Sequence, residues 1–364
     1  MPVKWKKVWV ADECYESCGV FDVNNDGVPD IVSGAWWYQG PDYKKKHFIG
    51  KVRAEGEYYD DFSTIPLDVN GDGWLDFITG GWWGDTLRWR ENPGAKGGEW
   101  PEHVIAETGN IETTRAWDID GDGQVEIIPN TPGARNVKVF KLRRDTQGKG
   151  TGKFDTFVIH EFSEGQNQGH GLGCGNIAGN GRMDVLLNKG WLEAPKNQLK
   201  DKWIWHPDFD LGCGSVPMLV MDVNGDGLHD LIVGQAHPFG LDWWEQKLVS
   251  GKRSWIKHPI DPFNAQYHDL QWADIDGDGQ CELVTGKRHR AHCGNEPGEF
   301  DDYGIYYFKW NGESFSKQVI DYGPLGEAKG CGIFFALADL RGTGRLDLVA
   351  PGKDGLVIFY NEGA

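Results

Sequence analysis

Five short segments of the chain space their carboxylates as a hard cation would need. Each follows D-x-[D/N]-x-D-G-x-x-[D/E] and runs directly into an apolar stretch. Positions 1, 3, 5 and 9 are Asp22, Asn24, Asp26 and Asp30 in the first copy, and Asp68, Asn70, Asp72 and Asp76 in the second. The third has Asp118, Asp120, Asp122 and Glu126; the others have Asp222, Asn224, Asp226, Asp230 and Asp274, Asp276, Asp278, Glu282. Oxygens so placed surround one point, which suits Ca²⁺, and a glycine at position 6 permits the sharp turn. These are not EF-hand loops, because the bidentate glutamate at position 12 is absent and β-type residues flank each copy. A metal-free network of Asx turns would use the same residues. Two decayed copies begin at Asn176 and Asp339. Asn176, Ala178 and Asn180 carry too little charge for tight binding, while Arg341 offers a guanidinium and Thr343 no charge at ligand positions. Structural Ca²⁺ is therefore expected in up to five loops and in neither decayed copy.

Histidine forms the second chemical set. Of eleven, His47, His103, His206 and His258 recur at equivalent places and read as packing residues. His160 ends a strand and His229 lies inside an acidic loop, so neither has a functional argument. His170, His237, His268, His289 and His292 remain, four of them in the segments 168–173 (QGHGLG), 266–269 (QYHD) and 284–292 (VTGKRHRAH). Histidine can abstract a proton next to a carbonyl near neutral pH. The resulting enolate needs positive charge, which Lys287, Arg288 or a histidine-held divalent cation could supply. Glycines on both sides of His170 permit close approach of backbone or substrate.

The seven loop copies start 46, 50, 58, 46, 52 and 65 residues apart, the length of one four-stranded propeller blade each. The expected fold is all-β: a single domain over residues 1–364, a seven-bladed β-propeller of antiparallel four-stranded blades. Segment 5–10 reads as the outer strand of the last blade, so that both termini share one sheet and close the ring. If the acidic loops join strands A and B, the B–C and D–A loops lie on the opposite face. The B–C loops then present Trp36, Trp37, Trp82, Trp83, Lys189, Trp191, His237, Lys287, Arg288, His289 and His292. The D–A loops present Glu16, Tyr58, Tyr59, Asp60, Arg115, His170 and His268. In doublets such as Trp36-Trp37 and Trp82-Trp83, strand alternation sends the two rings to opposite sides, and an outward ring could stack on a sugar.

The repeats resemble the FG-GAP or VCBS family over essentially the whole chain, which implies a propeller with calcium loops but no particular function. The three histidine segments also resemble VCBS-type propellers related to the aldos-2-ulose dehydratase propeller domain and bacterial proteins of similar layout. That class eliminates water from keto-sugars; its extra domains lie outside this sequence, and no isomerase step is carried over. The expected activity is a carbon–oxygen lyase acting on a keto-sugar or keto-glycoside by β-elimination or dehydration. In this reading His268 or His170 is the base, Lys287 and Arg288 hold the oxyanion, and His237 and His292 are acid or metal ligands. Trp36, Trp37, Tyr58, Tyr59, Trp82, Trp83, Arg115, Lys189 and His289 would bind substrate. A polysaccharide lyase acting on uronic-acid glycans would use the same residue types, and a non-catalytic glycan- or protein-binding propeller is the third reading. Hydrolysis is less favoured, since Glu16 and Asp60 are the only evident carboxylates at the mouth.

The formal net charge of −18 argues against nucleic acid as a partner. No apolar run approaches the roughly 18 residues that a membrane helix needs. The first ten residues (MPVKWKKVWV) hold no signal-peptide core. A cytoplasmic location is expected if the sequence is complete, and a periplasmic or secreted one if a leader was removed. The seven cysteines include no CxxC and read mainly as small buried residues. The loop positions hold more carboxylates than the whole net excess, so the acidity describes the scaffold. The opposite face is free to be locally positive and to take a sugar.

Overall fold

Each acidic loop is a turn between two strands. In blade 5 the Asp222 loop joins strand A (Leu219–Met221) to strand B (Asp230–Gly234); strands C (Leu241–Val249) and D (Lys252–Pro259) complete an antiparallel sheet. The computed structural model describes residues 2–292 and 294–364, and seven such four-stranded sheets form a ring. Strands B carry near-continuous apolar runs because neighbouring blades cover both faces of each sheet, and all five residues of Asp230–Gly234 are buried. Seven apolar clusters result, one at each junction between adjacent blades.

The N-terminal strand Trp5–Ala11 pairs antiparallel with Leu356–Asn361, Trp5 opposite Asn361. It becomes strand D of blade 7, outside Ala336–Ala338 and Asp347–Ala350, so the ring closes on itself as its pattern predicts. The four recurrent histidines are packing residues, each opposite a strand C tryptophan. His47 stacks on Trp37, His103 on Trp89, His206 on Trp191 and His258 on Trp243, at 4.0, 4.5, 4.2 and 4.4 Å between ring centroids.

The loops hold their shape through the first and ninth residues. Asp222 accepts backbone N–H bonds from Gly225, Asp226 and Gly227 at 2.8, 3.1 and 2.9 Å. The ninth carboxylate is fully buried and ties strand B to the loop: Asp76 accepts from Val69 and Asn92, and Glu282 from Ile275. In blade 3 the Lys141 ammonium lies 2.6 Å from Asp120, 2.8 Å from Asp122 and 2.8 Å from Glu126. Lys309 does the same in blade 6, at 2.5, 2.6 and 3.3 Å from Asp276, Asp278 and Glu282. Burial opposes the charge on both lysines, but the carboxylates outweigh it and hold them above their ordinary pKa. In the decayed seventh loop the Arg341 guanidinium bonds Asp347 at 3.1 Å.

Several residues expected in loops lie in strands. Trp36 and Trp37 open strand C of blade 1 (Trp36–Gln39), Arg115 sits inside strand A of blade 3 (Thr113–Trp117), and Lys287 ends strand B of blade 6 (Glu282–Lys287). Among the described residues no helix is long and apolar enough to cross a membrane, and the six cysteines are free thiols. Cys293 lies outside the described residues.

Candidate active site at the channel mouth

The position six residues before each loop start falls at the entrance to strand A, where the blades converge on the channel. It is Glu16, Phe62, Glu112, His170, Val216, His268 and Ile333 in blades 1 to 7. The ring thus brings Glu112, His170 and His268 together, and His237 joins them from the B–C loop of blade 5. One ligand atom from each of these four residues lies within 4.8 Å of the others. His170 and His237 ring centroids are 4.7 Å apart, and His237 and His268 are 5.1 Å apart.

Backbone carbonyls set the ring orientations. His170 Nδ1 faces Gly214 O at 2.8 Å and His268 Nδ1 faces Gln266 O at 3.4 Å, so both turn Nε2 inward. His170 Nε2 is 3.2 Å from Glu112 and His237 Nδ1 is 2.6 Å from Glu296, yet both nitrogens are buried without a well-directed hydrogen bond. Burial lowers the pKa of His268 well below its ordinary value, and Arg288, whose Nη1 lies 2.9 Å from His268 Nε2, adds to the effect. Burial also lowers His237. For His170 burial works the same way, but Glu112 outweighs it and raises the pKa. Burial opposes the charge on Glu112 in turn, yet His170 and the cations around it hold its carboxyl at about 2.

Arg288 is anchored from behind. Its Nε and Nη2 reach the two oxygens of Glu16 at 2.7 and 3.0 Å, and Lys353 approaches the same carboxylate at 3.3 Å. Glu16, expected as a mouth carboxylate, is therefore the buried counter-ion of Arg288. A cavity of about 200 Å³ opens above the cluster, with Tyr58, Phe62, Trp82, Trp83, Arg288 and His292 in its wall. Tyr58 reaches it from a small hairpin (Ala54–Glu55 with Tyr58–Tyr59) and packs 4.9 Å from Trp83. Asp60 pins the tryptophan loop, since its Oδ1 accepts from Trp83 N at 2.8 Å. His292 stacks on His237 at 4.4 Å and directs Nδ1 at Glu296. Burial would raise Glu296, but the adjacent His237 and His292 imidazoles hold it at about 2.

The other expected site residues lie elsewhere. Lys287 points away from Arg288, as strand alternation requires. Its ammonium is bonded to the carbonyls of Gly298 and Asp301 and lies 4.8 Å from the Tyr303 ring. His289 stacks on Tyr303 at 4.6 Å. Arg115, three residues deeper along its strand than Glu112, bonds Asp269 at 2.8 Å and Val216 O. Tyr59 packs on Tyr15, Trp36 lies under the Lys46 ammonium, and Lys189 is exposed on the rim of blade 4. Gly169 and Gly171, at φ +74° and +125°, pack against Asn188 and Gly214, so the close approach they permit is to backbone and side chain. Glu112 and Glu296 escaped the sequence reading. Glu112 stands in register with His170 and His268 when residues are counted back from the loop, a signal that was there to use; Glu296 has no such register.

Fold and site define a seven-bladed β-propeller with a polar cluster at the channel mouth. The FG-GAP-like repeat model matches residues 68–128 and 222–285. Among solved structures, BBS1N in complex with ARL6DN is similar at 11% identity, over 99% of this chain and 97% of that chain, with a TM-score of 0.55. Rhamnogalacturonan lyase YesW is similar at 13% identity over 99% of this chain and 75% of its own, with a TM-score of 0.47. At such identities the likeness speaks to fold alone. No curated protein matches the chain in sequence.

Proposed function

We propose that the chain is a metal-assisted carbon–oxygen lyase that eliminates water or an alkoxide from a keto-sugar or keto-glycoside. One observation carries the reading: three histidines and a glutamate converge at the floor of an aromatic-walled chamber. Glu112, His170 and His237 would hold a divalent cation, joined by His268 once its Nε2 is released from Arg288 Nη1, and the donor set suits one. Ligands about 2.0–2.2 Å from an ion stand roughly 3–4.4 Å from each other, close to the spacing here. Carbonyls face the second nitrogen of His170 and His268, and the Glu296 carboxylate faces that of His237, a usual accompaniment of metal ligation. Such a cation supplies Lewis acidity to a substrate carbonyl.

The remaining work falls to the chain's own side chains. Arg288 offers a fixed guanidinium, neutralised from behind by Glu16, to an oxygen that gains negative charge. His292, held through Nδ1 by Glu296, has Nε2 left to take the proton next to the carbonyl. Trp82, Trp83 and Tyr58 offer ring faces to a sugar. A chamber near 200 Å³ is smaller than the ~300–1,000 Å³ of drug-sized ligand sites, which favours one sugar ring over a stretch of uronate polymer.

The acidic loops would hold structural calcium. In blades 3 and 6 the groups Asp118, Asp120, Asp122 and Asp274, Asp276, Glu282 lie close enough together to share one ion, and Lys141 and Lys309 pair with some of the same carboxylates. Among the described residues no ion pair reaches the loop carboxylates of blades 1 and 2, and in blade 5 only Lys247 approaches, 3.6 Å from Asp226. Ca²⁺ would occupy up to five of these loops, displacing the lysine in blades 3 and 6, as a staple between strands A and B.

The test combines elemental analysis of dialysed protein with incubation on 3-keto-glycosides, anhydrofructose and uronate polymers, read as ultraviolet absorbance of a conjugated product. About one transition-metal equivalent and absorbance from a keto-sugar are expected. Neither metal nor product would leave a binding module.

A further inference from the structure

A second cavity, of about 490 Å³, lies between blades 1 and 2 on the acidic-loop side, away from the mouth. Its wall includes Trp37, Trp74, Phe48, Gln39 and His47, and no Asp, Glu, Lys or Arg lines it. That absence stands out in a chain that is 25% charged. We propose that this cavity binds a neutral saccharide, with Trp37 and Trp74 as stacking rings and Gln39 as the polar contact.

Comparison with the other blades carries the argument. Where His103, His206 and His258 stack on their tryptophans, a glutamate bonds each imidazole: Glu91 at 2.7 Å, Glu193 at 2.9 Å and Glu245 at 3.0 Å. In blade 1 the residue in that place is Gln39, 3.2 Å from His47. The amide removes the charge that this repeat position carries in the other three. Burial lowers the pKa of His47, which favours the uncharged imidazole.

The aromatic wall is likewise particular to this junction. Position 7 of the acidic loop is Val28, Trp74, Gln124, Arg182, Leu228, Gln280 and Arg345 in blades 1 to 7, so only blade 2 places an aromatic ring there. The backbone makes room for it. Gly94 adopts φ +60°, and a Cβ added there would lie 2.7 Å from the Trp74 indole. Half-buried rings and neutral hydrogen-bonding groups, with no charged side chain in the wall, are what a pyranose needs: C–H faces to stack and hydroxyls to pair.

Isothermal titration and saturation-transfer NMR with cello-, malto-, laminari- and manno-oligosaccharides of two to four units test this, with an oligogalacturonate as the charged comparison. At least one neutral oligosaccharide should bind with a Kd below about 1 mM, and Trp74→Ala should weaken it about tenfold or more. Gln39→Glu, which restores the glutamate of the other blades, should also weaken it, and the oligogalacturonate should not compete. The proposal is overturned if no neutral oligosaccharide binds, if the uronate displaces it, or if neither substitution matters. Should Trp74→Ala lower the melting temperature, the Gln39→Glu result decides.

Discussion

Replacing Glu16 by glutamine removes one charge from a site with almost no water. The Glu16 and Arg288 side chains are each 2% exposed, and two hydrogen bonds of 2.7 and 3.0 Å join them. Burial opposes ionisation of Glu16, yet Arg288 and Lys353 hold its pKa below the ordinary carboxylate value, so the native pair is charged. Glutamine keeps the shape but leaves the guanidinium facing an amide. Stranding one partner of a buried pair costs about 3–5 kcal/mol. Larger domains lose somewhat less than 2–4 °C per kcal/mol, which puts the expected fall in melting temperature at roughly 5–10 °C. Differential scanning calorimetry of Glu16→Gln, Arg288→Met and the double variant would measure it. The double variant should recover much of the loss, with a coupling of ~2 kcal/mol or more. If Glu16→Gln melts within about 2 °C of the parent, or the two losses add, Glu16 is not what holds Arg288 in place.

Three further outcomes follow from the geometry. Elemental analysis should find about four to five tightly held calcium ions per chain, and Asp274→Asn should lower the count by about one; fewer than about four in the parent would refute the staple. Trp83→Ala should raise KM for the keto-sugar about tenfold with a smaller change in kcat, since a stacking ring contributes to ground-state and transition-state binding alike. Asp354 accepts from the fully buried Lys329 ammonium; burial opposes its charge, but Lys329 and His289 hold its pKa at about 2. Its stabilisation is present above the unfolded value near 4 and disappears as the pH falls through about 2. Asp354→Asn should therefore destabilise at pH 7, by about 3 kcal/mol, and shrink that part of the acid-induced loss; an acid melting curve parallel to the parent's would contradict it.

Much of the fold was legible because a propeller repeats its instructions. The acidic turn, the apolar strand behind it and the recurrent strand D histidine each appear several times, so one blade reads the others. The strand 5–10 could be assigned to blade 7 because the last repeat lacked its outer strand. The site was legible only as a face. His170, His237, His268, Arg288 and His292 do gather at the mouth, but Lys287, Arg115 and His289 do not, because a residue's side in a strand depends on register that loop lengths conceal. Trp37 was expected at the mouth and instead helps wall the separate cavity between blades 1 and 2.

The sequence by itself determined the local physics: carboxylates that make tight turns, alternating apolar residues that make strands, and seven copies that need a closed ring to bury both sheet faces. Only the tertiary structure decided which side chains meet. Glu112 and His268 are 156 positions apart in the chain, yet ring closure brings their strands to one channel and their side chains within reach of one ion. That proximity is a property of the ring's circumference and strand register, which no local pattern encodes.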